Sequence, residues 1–132
     1  MKEELQHKLY ATYPTLFPAL NRRGYTSFER YGFCVGDGWY PLIAEAAEEL
    51  CLLSSGIVCV QIKEKLGALR FYINSPQHVQ ASASAIVSKA ELDSCKTCED
   101  CGAPGNLESP RYWMRTVCPN CLITWNSKCE KY

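Results

Sequence analysis

Cys98-Glu99-Asp100-Cys101-Gly102 and Cys118-Pro119-Asn120-Cys121 decide how this chain is read. Each holds a C-x2-C pair, and sixteen residues separate the two pairs. A C-x2-C turn aims two thiolates at one point. Two such turns supply the four soft ligands of a closed tetrahedral zinc site. Cys95 and Cys98 form a competing C-x2-C pair, which would lengthen the spacer to nineteen residues. Gly102 favours the Cys98–Cys101 register, because glycine directly after the second ligand allows a positive φ and a tight turn beside the metal. Pro119 and Asn120 are turn formers between the ligands of the second pair. Cys95 is then a spare thiol or an alternative ligand. Four protein ligands leave no open coordination position, so the expected role of zinc is structural. A disulfide framework fits poorly, since nine cysteines is an odd number and residues 1–8 carry no apolar signal-like run.

With 132 residues the chain can bury one ordinary core plus a metal-held appendage. Hydrophobic residues make up 47% and charged residues 21%, which excludes a disordered composition. Net charge is zero, with nine Lys/Arg against ten Asp/Glu in residues 1–93 and five against four in residues 94–132. Neither part has the overall basic excess of a phosphate-backbone binder, although a local basic patch stays open. No apolar run approaches a membrane span, so the expectation is a cytoplasmic protein without a membrane partner.

Hydrophobic periodicity supplies the elements. Leu5 and Leu9 share one face of a short helix over 2–12, which Pro14 and Pro18 bar from continuing. A glycine-rich stretch, 19–38, follows, with four aromatics that should pack down. Leu42, Ile43, Ala46, Leu50 and Leu53 stripe a second helix over 41–54, with Pro41 in its first turn. The period then switches to two. Val58, Val60 and Ile62, and later Leu69, Phe71 and Ile73, mark the inward sides of a β-hairpin around Gly67. Ser75 reads as a helix cap before Pro76, opening a third helix over 76–93. The expectation is an α+β fold: three helices on a β-hairpin in a core of residues 1–93, and a zinc-ribbon-like module with a short tail over 94–132, packed on that core.

Four motifs occur in order: Gly36-Asp37-Gly38-Trp39-Tyr40-Pro41-Leu42-Ile43, Gln61-Ile62-Lys63-Glu64-Lys65-Leu66-Gly67-Ala68-Leu69-Arg70-Phe71-Tyr72, Cys98-Glu99-Asp100-Cys101-Gly102-Ala103-Pro104-Gly105, and Cys118-Pro119-Asn120-Cys121. Together they resemble a family of small phage and prophage proteins of mostly unassigned function, over roughly residues 30–122. Leu66 stands where that pattern has Phe, and Ala68 where it has Gly, which removes backbone freedom expected at the hairpin turn. The resemblance supports the Cys98 register and brings no enzymatic activity. It implies a phage-type accessory protein in a bacterial cytoplasm, where inhibiting host defence complexes such as CRISPR effectors is a common task.

Several residues carry competing readings. Lys63, Glu64, Lys65 and Arg70 form either a projecting grip for an anionic partner or a solvated tip with weak surface ion pairs. Arg70 and Tyr72 share a strand face and form a binding patch if that face is open. Asp37 caps its loop or holds Arg70, and Trp39 reads as core. Arg111, Tyr112, Trp113 and Arg115, between the cysteine pairs, stack on nucleic-acid bases, anchor a protein, or pack on the third helix. Cys34, Cys51 and Cys59 read as buried thiols. His7 and His78 are isolated, and no catalytic motif is present. Three functions follow: a non-enzymatic binder of a host protein complex, a nucleic-acid-binding ribbon protein, or a small-ligand binder or enzyme with a pocket near Asp37, Arg70 and Tyr72. Replacing Cys118 by Ser is expected to abolish metal binding and unfold the C-terminal element. Full metal retention with an unchanged thermal melt would overturn the site.

Overall fold

The computed structural model describes residues 1–109 and 112–129. It is a mixed α+β structure with five α-helices, α1 (Glu3–Thr12), α2 (Ser27–Tyr31), α3 (Tyr40–Leu53), α4 (Gln80–Ser94) and α5 (Pro119–Cys129). Strands β1 (Phe33–Cys34), β2 (Val58–Lys65) and β3 (Ala68–Asn74) form one sheet in the order β1-β2-β3, and β4 (Asn106–Glu108) pairs with β5 (Arg115–Val117). The expected count of three helices on a bare hairpin is therefore corrected. Helix α2 is too short to show a periodic stripe, and α5 begins at the second cysteine pair, where a turn was expected, and runs into the expected tail. The glycine-rich stretch holds α2, β1 and a 3-10 turn over Asp37–Trp39.

The hairpin forms where alternation and turn chemistry agree. Leu66 and Gly67 have φ of 54° and 82°, as a two-residue turn of the tight primed type requires. Ala68 pairs with Lys65 inside the ladder, so it needs no glycine-like freedom. β1 adds in parallel, with Phe33 opposite Ile62 and Cys34 opposite Lys63. One row, Phe33–Ile62–Phe71, faces the core, with 4%, 0% and 1% exposure. A register shift between Cys59 and Gln61 breaks the alternation. Cys59 and Ile62 are consequently buried while Val58 and Val60 are only half-buried, contrary to an uninterrupted period of two.

On the covered side, Phe17, Phe28, Phe33 and Tyr10 interlock by edge and tilted contacts with centroids 4.9–6.0 Å apart. Phe17 reaches Phe71 at 6.2 Å, joining this cluster to the sheet. Ile43, Ala46, Ala47 and Leu50 of α3 and Ala83, Val87 and Ala90 of α4 complete the same core. Small alanines let α3 and α4 approach closely, which offsets their modest transfer energy with close packing. Ser75 makes no cap. A 3-10 turn over Gln77–Val79 enters α4, and neither element has a side-chain cap.

Ser94 ends α4 fully buried. Its hydroxyl accepts from the Leu69 amide at 2.9 Å and donates to the Glu91 carbonyl at 2.5 Å. It satisfies a buried strand N–H that has no ladder partner. Ser94→Ala is expected to cost about 1–3 kcal/mol in urea denaturation by orphaning that amide. An unshifted midpoint would show that the amide finds another acceptor.

Candidate metal centre and its surroundings

The Sγ atoms of Cys98, Cys101, Cys118 and Cys121 all lie within 4.8 Å of one another, close enough to hold a metal ion. Cys101 and Cys118 are 3.6 Å apart at sulfur. A tetrahedral centre with metal–sulfur bonds of about 2.3 Å has sulfur–sulfur edges of about 3.8 Å, close to this separation, so the donor set fits a four-thiolate ion. The separation is well beyond a disulfide's roughly 2.0 Å. Cys95 lies outside this group. It is exposed, and its thiol donates to the Glu91 carbonyl at 3.6 Å.

Local backbone geometry builds each half. The Cys98 carbonyl accepts from Gly102 N–H at 2.9 Å, and Cys98 N–H donates to Ala103 O at 2.8 Å. That return needs the positive φ of Gly102, 83°. In the second half, Pro119 and Asn120 open α5, and Cys121 lies in its first turn. The Cys121 N–H donates to Cys118 Sγ at 3.4 Å and holds that thiol down at about 7. Burial and the other three thiols push Cys121 up. Four thiolates this close repel one another, so all four can be deprotonated together only around a bound cation.

The first cysteine turn is seated on the loop before α3. Gly38 N–H donates to Glu99 O at 2.7 Å, and Trp39 Nε1 donates to Thr97 O at 2.9 Å. Gly36 N–H donates to the buried Glu99 carboxylate at 3.0 Å. Burial raises the Glu99 pKa, while the Gly36 amide and Arg115 pull it back. A Cβ on Gly38 would overlap the Cys98 carbonyl oxygen, and one on Gly36 would overlap the Glu99 carbonyl. Both glycines of the Gly36-Asp37-Gly38 motif are thus needed for backbone contact. Glu99 was not singled out from the sequence, where it looks like an ordinary surface acid between two ligands.

Arg115 is internal rather than a free arm. Its guanidinium lies 2.6 Å from Asp100, 3.7 Å from Glu99 and 4.4 Å from the centroid of the Trp125 ring. It therefore clamps β5, the first cysteine turn and α5. Arg111 lies outside the described residues. Trp113 and Tyr112 are largely open to solvent. They are 60% and 101% exposed and line a groove of about 300 Å³ with Glu64, Leu66 and Met114. Thr116 Oγ1 donates to Gly67 O at 2.7 Å and joins the module to the hairpin turn.

The proposed pocket residues are not assembled. Asp37 accepts from Lys2 N–H at 2.7 Å and lies 3.8 Å from its ammonium, while Arg70 pairs with Glu91 at 3.8 Å. Tyr72 is 42% exposed, and Lys65 is exposed with Lys63 half-buried. Only Cys59 of the three expected buried thiols is buried, because β1 turns Cys34 outward and Cys51 sits on the margin of α3. His7 is exposed beside Glu3, and His78 is exposed. A groove of about 610 Å³ that the sequence did not signal lies along α1, lined by Gln6, His7, Tyr10, Phe17 and Leu20 among others. No helix among the described residues is long and apolar enough to cross a membrane.

No family model matches the chain, and no curated protein or solved structure shows significant similarity to it. Gly38→Ala is expected to push the first cysteine turn off its seat, weakening metal affinity and lowering stability by about 1–3 kcal/mol. Metal titration and a thermal melt matching the parent protein would refute that coupling.

Proposed function

We propose that the four cysteines hold a structural zinc ion, and that the chain is a non-enzymatic, phage-type interaction protein that binds a host protein complex. The most attractive class of partner is a bacterial defence effector, whose function the binding would inhibit. The closed four-thiolate donor set favours zinc in a structural role. Thiolate-held zinc suits a reducing bacterial cytoplasm.

One observation carries the interaction reading. Leu66 and Tyr112 are the non-glycine residues with positive φ among those described, at 54° and 71°, and both line the same groove. The tight hairpin turn imposes that conformation on Leu66, and Tyr112, which adopts it outside any hairpin turn at a cost of roughly 1–2 kcal/mol, lies across the groove from it. The groove displays large apolar groups to solvent: Leu66 is 62% exposed, beside Tyr112 and Trp113. Exposed aromatic and aliphatic anchors grouped beside polar residues are the composition of a protein-binding hot spot. The bond from Thr116 to Gly67 ties the two sides of the groove together, and the pair of Arg115 with Asp100 ties β5 to the first cysteine turn, so zinc would rigidify the site without touching the partner.

The test is a tagged pull-down from bacterial lysate, with and without nuclease. A stoichiometric protein should be captured by the parent chain, survive nuclease, and be lost with Trp113→Ala. Leu66→Asn should also lose it while raising stability by about 1 kcal/mol, because Asn tolerates the left-handed region. Capture that persists in both variants would eliminate the groove as the binding site.

A further inference from the structure

We propose that the open face of the β1–β2–β3 sheet binds single-stranded nucleic acid, with Lys63, Lys65 and Arg70 pairing phosphates and Tyr72 stacking on a base. This is a second activity on a different surface from the groove. The strand registers define the face. Because the row Phe33–Ile62–Phe71 points into the core, the adjoining row Cys34–Lys63–Arg70 points away from it. Its neighbours on the same side are Gln61 with Tyr72 and Lys65 with Ala68. These seven positions hold three cations, one amide and one aromatic ring, and no carboxylate.

The charge is concentrated although the chain is neutral. Lys63 and Arg70 stand directly opposite each other across the ladder, an arrangement that like charges make unfavourable. Glu91 approaches Arg70 from α4 at 3.8 Å and relieves part of this. Neither Lys63 nor Lys65 makes an ion pair among the described residues. An anion lying along the row would remove the remaining repulsion. The sheet is three strands wide, about 10 Å between its outer strands, which suits one extended polyanion.

Aromatic rings select the kind of polyanion. Tyr72 is 42% exposed on the β3 side. At the β1 side Tyr31 is 69% exposed, and its main-chain carbonyl accepts from the thiol of Cys34, a member of the outward row, at 3.6 Å. Arg30 is exposed beside it. The exposed Tyr72 ring within a line of cations offers stacking for a base and pairing for phosphates at once, the combination that single-strand binders use. An acidic peptide would satisfy the cations and leave the rings without a flat partner.

The experiment uses the intact, metal-loaded chain and short fluorescein-labelled oligothymidine and oligouridine, read by anisotropy through a salt series. Saturable binding is expected, with a log–log salt slope of about 2 for three phosphate contacts. Lys63→Glu with Lys65→Glu should abolish it, and Lys8→Glu, an exposed cation on α1, should leave it unchanged. Tyr72→Ala should weaken it about tenfold, and Tyr72→Phe should restore it, since stacking needs the ring and not the hydroxyl. Circular dichroism matching the parent keeps each variant interpretable; if Tyr72→Ala misfolds, the lysine pair decides. Absence of saturable binding, indifference to the lysine reversal, or equal competition by polyglutamate of the same length would each overturn the proposal. None of these outcomes depends on the protein partner of the groove.

Discussion

The backbone contact between the first cysteine turn and the loop before α3 is the constraint on which the rest of the architecture leans. Two glycines, Gly36 and Gly38, leave room for the carbonyls of Glu99 and Cys98, and the amides of that loop then bond to Glu99. Trp39 is threaded through the contact, fully buried in the main core while its indole N–H reaches Thr97. The four-cysteine appendage, with little core of its own, thus gains a hydrogen-bonded bed on a well-packed domain. The small cluster around Cys98, Val117 and Cys118 needs that support, because it buries few large side chains.

Much of this was legible in the chain and the rest was not, for identifiable reasons. The cysteine spacing indicated the ligand set, and the structure gathers Cys98, Cys101, Cys118 and Cys121 while leaving Cys95 aside. Long periodic segments placed α1, α3, α4 and the hairpin. Elements shorter than about two turns carried no period to read, which is why α2 and β1 went unnoticed. The bulge at Val60 defeated a strict alternation, since one extra residue reverses the face of everything before it. Helix α5 was hidden by its start: Pro119 and Asn120 read as turn formers, yet they sit where a first helical turn tolerates them.

The functional surfaces were less legible still, because they depend on which charges pair. Arg115 and Arg70 looked equivalent in sequence. In the structure Arg115 is enclosed by two carboxylates and Trp125, whereas Arg70 shares one carboxylate and stands in the outward row of the sheet. Asp37, expected to reach Arg70, is occupied by Lys2. Pairing of this kind is set by the tertiary fold and leaves no local trace. Backbone strain is equally silent in sequence, since nothing in Lys65-Leu66-Gly67 forces leucine into a left-handed conformation. The hairpin's tight turn does so.

The seat of the cysteine turn also has a kinetic meaning. Gly36 and Glu99 are 63 positions apart along the chain, so their bond closes a loop spanning α3, the hairpin and α4. Closing so long a loop costs entropy before the contact rewards it, so this bond is expected to form after the core it rests on. Interactions absent from the folding transition state govern how fast a protein comes apart rather than how fast it assembles. The first cysteine turn is therefore expected to act as a latch, one that slows unfolding more than it speeds folding.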